Sequence, residues 1–225
     1  MSRRSETTAT DTAARSSEFE SLTGNTELEF PEYDTPPDEP LGLVRHWLDT
    51  ATRLEVREPR SLALATANEH GRPSNRIVTV GELSERGLVF TTHTTSRKSR
   101  DIAGNPRVCG LFYWRETGQQ ISLSGSVRSL DETECDALWA GRPTPLHPMS
   151  TASRQSEPLE NAAALRAEAR RLAEPGTPLP RPARFTGYLL VPDEVEFWCA
   201  RSDRLHRRMR YTRKGSLWEH ERLQP

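Results

Sequence analysis

The sequence lacks an excess of charge of either sign. Its 225 residues include 31 Lys and Arg against 32 Asp and Glu, which gives a formal net charge of −1. A protein without a strong overall field has no general attraction for DNA, RNA or an anionic membrane. We therefore expect neither a nucleic acid nor a membrane as a partner.

Long hydrophobic runs are also missing. The longest are Leu62–Ala67 and Tyr188–Val191, far short of the roughly 18 residues that a membrane-spanning helix requires. No basic segment followed by an apolar one opens the sequence, as a secretory leader would. We expect a cytoplasmic protein.

The residues that usually build metal centres are sparse and poorly spaced. The three cysteines, Cys109, Cys135 and Cys199, are odd in number and form no Cys-x-x-Cys pair, so we expect them to pack in the core. The six histidines never fall at His-x-His or His-x-x-x-His spacing, and the glycine-rich phosphate loops and the Gly-x-Ser-x-Gly elbow are absent. The sequence predicts no metal site, and it does not support an NTPase, a dinucleotide-binding dehydrogenase or a serine hydrolase.

The hydrophobic share of 34% suffices for one domain with a tail. We predict a disordered tail over residues 1–18, an extended arm over 19–40 and a single domain over 41–225. Phe30 and Tyr33 lie in the proline-rich part of the arm and are expected to pin it to the domain. A helix is predicted over about 40–53, with Asp38 as its cap and Pro40 in its first turn.

The periodicity then changes to that of short strands separated by turns. Further helices are predicted at about 96–105, 131–140 and 159–173, and the prolines of 142–148 predict an irregular loop. Few and isolated helices among nine short strands favour an antiparallel barrel over an alternating parallel sheet. The predicted strands are 62–67, 76–80, 88–92, 107–114, 119–130, 185–191, 194–200, 205–212 and 216–222.

One polar cluster leaves a strand and opens a helix. It contains Thr91, Thr92 and Ser96, followed by the cations Arg97 and Lys98. The free backbone N–H groups and the positive dipole end at a helix start favour an anion, and the two cations can add charge-assisted hydrogen bonds. The cluster predicts a phosphate site, with a solvated helix cap as the alternative.

Three weaker clusters also lie near strand ends. Arg76 follows the turn before an apolar strand, and it is either a ligand or an exposed cross-strand charge. Gln120 and Gln155-Ser156 can donate and accept toward a heteroaromatic ring, or can simply be solvated. Strand alternation over 204–211 places Arg204, His206, Arg208 and Arg210 on one face, near Trp198. This face suits a flat anionic ligand, although a nucleic-acid strip or a solvated strand has a similar pattern.

Taken in order, these motifs resemble the pyridoxamine 5′-phosphate oxidase family. The resemblance implies a mainly β protein with flanking helices, an FMN-binding antiparallel split β-barrel that works as a homodimer. The match runs from about Pro59 to Pro225 through Arg-x-Val, Ser-Arg-Lys, Asn-Pro-Arg-Val, Tyr-Trp, Arg-Pro, Gln-Ser, Glu-Phe-Trp, Arg-Leu-His-x-Arg and Arg-Leu-x-Pro.

The resemblance also implies which residues bind the cofactor. One group would hold the phosphate and ribityl chain of FMN, and a second group would contact the flavin of the other subunit across the dimer interface. The first group comprises Arg76, Arg97, Lys98, Gln155 and Ser156, with Ile77, Val78, Thr79, Thr91, Thr92 and Ser96 beside them; the second comprises Gln120, Trp198 and Arg208.

The substrate side departs from the vitamin B6 oxidases of this family. Their four phosphate-binding positions are occupied here by Gly81, Leu138, Arg142 and Leu146, so that only the arginine remains. Loss of one cation and two hydroxyls, at ~1.5 kcal/mol each, costs on the order of 4 kcal/mol in binding a phosphate ester. The runs Phe-Pro-Glu-Tyr-Asp-x-Pro-Pro, Tyr-Trp-Arg-Glu-Thr-Gly-Gln-Gln and Ser-Asp-Arg-Leu-His-Arg-Arg resemble the phenazine-biosynthesis oxidases of the family more closely, from about Phe19 onward.

Three functions follow as alternatives. The first is an FMN-dependent oxidase that acts on a partly reduced phenazine carboxylate, with O₂ as electron acceptor and hydrogen peroxide as product. The second is a pyridoxamine or pyridoxine 5′-phosphate oxidase, and the third a non-catalytic flavin- or haem-binding barrel. For the first, Arg142, Arg204 and His206 are candidate carboxylate-binding residues, Leu138 and Leu146 would offer apolar surface to the rings, and His206 and Arg204 are the candidate catalytic residues.

Overall fold

The computed structural model describes residues 28–225, so the predicted tail of residues 1–18 and the first part of the arm lie outside the described residues. The described part of the arm forms one 3-10 turn, Pro31–Tyr33. Phe30 is almost fully buried, and its ring packs edge-on against Trp47 at 4.9 Å and lies 6.4 Å from Phe197. The arm is therefore attached to the domain through an aromatic cluster.

Helix α1, Pro40–Arg53, buries one face that includes Val44, Trp47 and Leu48. Pro40 occupies the first turn, where its missing N–H costs no helical hydrogen bond. The predicted cap is wrong, because Glu39 rather than Asp38 occupies the N-cap position and no side chain caps this end. The helix covers one end of the barrel core.

Six antiparallel strands close into a barrel, which confirms the predicted fold class. The described strands are arranged in the order β3-β2-β1-β4-β5-β6-β7-β8, and an additional β3–β6 pairing closes the ring of the first six. Their bounds are β1 Ser61–Ala67, β2 Pro73–Ser84, β3 Gly87–His93, β4 Arg107–Trp114, β5 Gln119–Ser129, β6 Phe185–Cys199, β7 Arg207–Lys214 and β8 Leu217–Leu223.

Alternation along the strands separates the core from the outer face. Strand β1 alternates half-buried and buried residues, with Leu62 and Leu64 in the core. The same period of two directs Phe112 of β4 and Ile121 of β5 inward, because successive side chains of a strand point to opposite faces. The outer face carries the alternate side chains of each strand, which are mostly less buried.

Strand β6 is continuous where two strands, 185–191 and 194–200, were predicted. Pro192 does not break it, because the residue lies at a bulge in the β5–β6 pairing, opposite Gly125. The first half of β6 pairs with β3 and closes the barrel, whereas the second half, Glu194–Cys199, pairs with β7. One strand thus joins the barrel to the β7–β8 hairpin.

The predicted strand 205–212 begins too early. Strand β7 starts at Arg207, and Arg204 lies in the preceding turn with a left-handed backbone, φ 67°. The proposed alternation holds only from Arg208 onward, with Met209 and Tyr211 buried on the opposite face. Arg204 and His206 therefore belong to a loop.

Four shorter helices surround the barrel. They are α2 Arg97–Gly104, α3 Glu132–Ala140, α4 His147–Ala152 and α5 Ala162–Ala173. The irregular loop predicted for 142–148 is partly wrong: it contains the 3-10 turn Thr144–Leu146 and the start of α4, where Pro148 fits the first turn. Within residues 28–225 no helix is long and apolar enough to cross a membrane.

Candidate active site

The start of helix α2 gathers the residues of the predicted phosphate site. Ser96 caps the helix by accepting a hydrogen bond from the Ser99 N–H at 3.3 Å. Lys98 Nζ donates to Thr92 Oγ1 at 2.8 Å, and Thr92 in turn contacts Gln155 Oε1 at 2.9 Å. We call this group, together with Arg76, Arg97 and Ser156, the cation cluster.

A loop after α4 completes the cation cluster. The Arg97 N–H donates to Ser156 Oγ at 3.0 Å, and Thr95 Oγ1 donates to the Gln155 carbonyl at 3.3 Å. Ser156 has a left-handed backbone with φ 68°, a conformation that non-glycine residues adopt sparingly and that often occurs at binding sites. Residues that lie 59 positions apart in the sequence are therefore in direct contact here.

Arg76 belongs to this cluster from strand β2, where it lies opposite Leu64 of β1. Its guanidinium donates to the Leu64 carbonyl at 3.0 Å and to Thr66 Oγ1 at 2.8 Å. Asp101 lies 3.7 Å from Arg76 and accepts hydrogen bonds from Thr66 at 2.7 Å and Ser74 at 2.8 Å. The network holds the Arg76 side chain in a half-buried position, so Arg76 is not a freely exposed cross-strand charge, and its role as a ligand-binding residue stays a prediction.

Within the cation cluster, positively charged side chains outnumber the single nearby carboxylate among the described residues, that of Asp101. Burial, together with the charge of Arg76, lowers the pKa of Lys98, and burial together with the charge of Arg97 lowers the pKa of Arg76 against the opposing effect of Asp101. For Asp101, burial alone would raise the pKa, but hydrogen bonds from Thr66 and Ser74 and the nearby arginines lower it overall. An anion bound here would offset the mutual repulsion of the cations.

The three residues predicted to contact the flavin form one row across neighbouring strands. Gln120 of β5 pairs with Trp198 of β6, and Trp198 pairs with Arg208 of β7. Arg208 donates from Nε to Glu196 Oε1 at 2.8 Å, which orients its guanidinium beside the indole. Tyr113 of β4 extends the row, since it pairs with Gln120. We call these residues the flavin row.

His206 lies against the flavin row, although it is outside the strand. Its ring centroid is 4.8 Å from that of Trp198, and its Nδ1 accepts a hydrogen bond from the Arg201 N–H at 3.1 Å. Because Nδ1 accepts in this arrangement, a proton on the ring belongs to Nε2. Arg204 is exposed on the same loop.

Within one protomer the flavin row and the cation cluster lie apart. Thr92 of β3 pairs with Thr186 near the start of β6, whereas Trp198 lies at the other end of that strand, and β2 and β5 are separated by β1 and β4. Among residues 28–225 no hydrogen bond, ion pair or ring contact joins the two groups. A ligand that touches both must therefore bridge two regions of the molecular surface.

A cavity of about 730 Å³ opens on the outer side of β2 and β3, against helix α3. Thr79 and Thr91 line it from the strands, and Leu138 and Arg142 line it from the helix and the following turn. These four were predicted as cofactor or substrate residues. The cavity also contains residues that the sequence reasoning did not single out, Glu82, Arg86 and Glu134.

Leu146 does not line this cavity. It ends the 3-10 turn before α4, and 47% of its surface is exposed. The remaining predicted residues of β2 point in opposite directions: Val78 is buried in the barrel core and Ile77 is exposed on the outer face. Only the backbone of Val78 can therefore reach a ligand.

Arg142 presents an incompletely paired cation to the cavity. Its Nη2 contacts Ser150 Oγ at 3.3 Å, while its buried Nε has no hydrogen-bond partner in the described part of the chain. The Arg142 carbonyl is held by His147 Nε2 at 3.0 Å, and the Leu179 N–H donates to His147 Nδ1 at 3.2 Å. His147 thus positions the turn, and burial lowers the pKa of Arg142.

His93 is a further buried polar residue that the sequence did not indicate. It ends β3 with about 1% of its surface exposed, and its Nδ1 has no partner in residues 28–225. Burial, and then the charges of Arg184, Lys98 and Arg142, lower the pKa of His93 to about 4. The imidazole is therefore neutral near pH 7 and adds no positive charge between the cation cluster and Arg142.

Comparison with models of protein families shows to which family the chain belongs. A model described as pyridoxamine 5′-phosphate oxidase matches residues 48–176, and one described as pyridoxine 5′-phosphate oxidase C-terminal dimerisation region matches residues 185–225. The chain belongs to the pyridoxamine 5′-phosphate oxidase family. The predicted membership is confirmed, and the dimerisation region supports a homodimer.

Close relatives carry a more specific name. The chain is 54% identical to a dihydrophenazinedicarboxylate synthase of Burkholderia lata, over 93% of this chain and 99% of the relative. It is 48% identical to one of Pseudomonas chlororaphis, over 92% and 93%. A crystal structure of PhzG from Burkholderia lata 383 in complex with tetrahydrophenazine-1-carboxylic acid is similar at a TM-score of 0.88 and 52% identity, covering 90% of this chain and 100% of that one.

Proposed function

We propose that this family member is an FMN-dependent oxidase that removes hydrogen from a partly reduced phenazine carboxylate. The observation that carries the proposal is the wall of the 730 Å³ cavity, which combines Arg142 with the apolar side chain of Leu138 and with Gly81. A Cβ at Gly81 would meet nothing nearer than the Val89 carbonyl oxygen at 4.0 Å, so the glycine leaves this part of the cavity open. Arg86 in this wall is paired with Glu134, whereas Arg142 has no carboxylate partner within residues 28–225. An open, partly apolar cavity with such a cation suits a broad ring system that carries a carboxylate.

FMN is the proposed cofactor, and the residues present fit it. The cation cluster offers Arg76, Lys98, the Thr92 hydroxyl and the N-terminus of α2 to the phosphate. Because these cations outnumber the single carboxylate of Asp101, a doubly charged phosphate improves the local charge balance. The flavin row offers an indole, an amide and a guanidinium to the isoalloxazine ring.

Bound FMN would supply the redox chemistry, accepting two electrons from the substrate and passing them to O₂ with release of hydrogen peroxide. The role of the protein is to bind and orient the substrate and the cofactor. Arg142 holds the carboxylate, Leu138 supports the ring, and Arg204 and His206 approach from the flavin row. Burial strengthens the Arg142 contact, since a charge pair gains from low local dielectric.

A homodimer brings the two halves of the site together in this proposal. The outer face of the barrel exposes Ile77 and Tyr113, with 62% and 50% of their surfaces open. Tyr113 continues directly into the flavin row, so that a second subunit covering this face would lie beside Gln120 and Trp198. In a twofold arrangement each cation cluster can then meet the partner subunit's flavin row, which gives two equivalent sites.

The vitamin B6 oxidase remains the second candidate, because Arg142 occupies the family's arginine position in the cavity. An aerobic assay of the purified protein with a reduced phenazine carboxylate and with pyridoxine 5′-phosphate distinguishes the candidates. We expect hydrogen peroxide with the first substrate and little with the second. Efficient turnover of pyridoxine 5′-phosphate alone would favour the second candidate, and peroxide from neither would indicate a flavin-binding barrel.

Arg142→Ala adds a test of the carboxylate role. The variant should raise KM for the carboxylated substrate about tenfold or more, since a hydrogen bond to a charged group is lost. Its flavin content should stay normal, because Arg142 lies outside the cation cluster. An unchanged KM would refute this role.

A further inference from the structure

A β-bulge places Glu82 in the wall of the cavity. In the β2–β3 pairing Val80 is opposite Phe90, but the next pair is Glu82 with Val89, so Gly81 is an extra residue without a partner. Without the bulge, residue 82 would follow Val78 and Val80 toward the barrel core. The extra residue instead puts Glu82 on the outer face, where it lines the cavity beside Val89.

Arg86, a cation in the same cavity wall, is already engaged by another acid. Arg86 Nη2 donates to Glu134 Oε1 at 2.8 Å. Glu134 is itself held in the capping box of α3, where its other oxygen accepts from the Asp131 N–H at 3.1 Å. Within residues 28–225 the Glu82 carboxylate makes no hydrogen bond or ion pair. The hydrogen bond and the charge of Glu134 raise the pKa of Arg86 most, and the Glu82 charge adds to them from a distance. The Glu82 oxygens therefore remain available to another hydrogen-bond donor.

We propose that Glu82 is a specificity-determining residue that accepts the ring N–H of the reduced substrate. The inference rests on the proposed function. A partly reduced phenazine carries N–H donors where the aromatic product carries ring nitrogens with lone pairs. A carboxylate attracts the first and repels the second, so Glu82 favours the substrate over its product and promotes product release.

The cavity arranges these contacts at separate places. Arg142 supplies a cation for the substrate carboxylate from the α3 side, and Glu82 supplies an acceptor for the N–H from β2. Thr79 and Thr91, on the strands between, contribute hydroxyls that can serve either group. The cavity therefore offers a cation on one side and a hydrogen-bond acceptor on the other, which matches the carboxylate and the ring N–H of the proposed substrate.

A matched pair of redox-inert ligands tests the inference without turnover. Acridone carboxylate carries a ring N–H, and acridine carboxylate, substituted at the same ring carbon, carries a lone pair instead. Their dissociation constants are measured by titration calorimetry on the FMN-loaded protein at pH 8. The wild type should prefer acridone. Glu82→Gln should bind acridone about tenfold more weakly, because a charged acceptor is lost, and acridine at least as tightly.

Glu85→Gln is the matched control, since Glu85 is an exposed acid in the adjacent turn that does not line the cavity. It should leave both dissociation constants unchanged, and Glu82→Asp should retain a preference for acridone. Equal weakening of both ligands in Glu82→Gln at full FMN content, or no change in either, would overturn the assignment of Glu82 while leaving the proposed function standing. If the wild type binds neither tricyclic ligand, the proposed function fails and this inference fails with it.

Discussion

At the residue scale, the cations around helix α2 outnumber the carboxylates that face them. Arg76 has a carboxylate partner in Asp101, whereas within residues 28–225 the Lys98 ammonium donates only to the hydroxyl of Thr92. Arg97 contributes its N–H to Ser156 and its charge to the same region. Such an arrangement is costly unless an anion is bound, so these residues should contribute more to affinity than to folding.

Replacement of both Arg97 and Lys98 by Ala should reduce FMN affinity a hundredfold or more. Two charge-assisted contacts, at ~1.5 kcal/mol or more each, are removed. Quenching of FMN fluorescence on binding gives the dissociation constant. The double variant of Arg213 and Lys214, an exposed Arg-Lys pair on β7, changes the same charges and should bind FMN normally. Retention of FMN by the first variant would refute the cluster as its phosphate site.

His93 should make the protein less stable in mild acid. Its pKa is about 4 in the folded protein, below the ordinary value of 6.5, so the unfolded chain takes up a proton first as the pH falls. The contribution of His93 to the free energy of unfolding is therefore fully present above about pH 6.5. It is lost as the pH falls from 6.5 to 4, by up to about 3 kcal/mol. Urea unfolding at pH 7 and pH 5 measures this loss. His93→Gln should show a smaller loss between the two pH values, and an equal loss would contradict the assignment.

Thr92, Ser96, Arg97 and Lys98 were predictable because hydroxyls followed by cations at a helix start have a local physical meaning, whereas Arg76, Gln155 and Ser156 were assigned to the same site only through the family resemblance. Asp101 and Glu82 were not, since their roles depend on which strand lies opposite. Asp101 acts through contacts with Thr66 and Ser74, 35 and 27 positions away. The environment of His93 likewise arises from arginines distant in sequence.

At the scale of elements, two bulges shape the barrel. One directs Glu82 into the cavity, and the other lets Pro192 sit within β6 opposite Gly125. The sequence predicted strand periods well, but it suggested two strands at Pro192, because a proline normally ends a central strand. The pairing with β5 shows why this proline is tolerated, since Pro192 lies at the bulge opposite Gly125. The early start predicted for β7 has a similar cause, since alternating cations cannot distinguish a loop from a strand.

Gly125→Ala should destabilise the β5–β6 bulge. A Cβ at this position would lie 2.2 Å from the Val191 carbonyl oxygen, so the backbone must shift. A cost of about 2 kcal/mol corresponds to a fall in Tm of about 4 °C or more. Gly42→Ala is a control that should stabilise the protein instead. A Cβ at Gly42 would have no neighbour within 4 Å, and an alanine inside helix α1 should raise the free energy of unfolding by about 0.5 kcal/mol or more. Thermal unfolding followed by circular dichroism measures both, and unchanged stability in Gly125→Ala would contradict the close approach.

At the scale of the whole molecule, the proposed FMN site is divided between two surfaces of one chain. The cation cluster belongs to β2, β3 and α2, and the flavin row to β4–β7. Residues 185–225, which match the dimerisation region, supply Trp198 and Arg208 of that row. The barrel itself was predictable from strand periods, but the separation of the two groups required the closed strand order.

Subunit mixing tests this division. A variant carrying Arg97→Ala and Lys98→Ala and another carrying Trp198→Ala and Arg208→Gln should each bind FMN poorly. After unfolding and refolding together, random pairing makes about half of the dimers mixed, each with one intact site, so about a quarter of sites should recover FMN. Size-exclusion chromatography with flavin absorbance gives the occupancy. No recovery would mean that each site is built within a single subunit.

Closure of the barrel through β3 and β6 has a consequence for solubility. Every barrel strand has a neighbour on each side, so β8 is left as the open edge of the described sheet. An open edge invites pairing with the edges of other molecules and thus aggregation. Strand β8 is short and mostly exposed, and it carries the run Glu219, His220, Glu221 and Arg222. Another strand that paired with β8 would have to desolvate the charged side chains on both of its faces. Because this desolvation is costly, these side chains disfavour aggregation through the open edge of the described sheet.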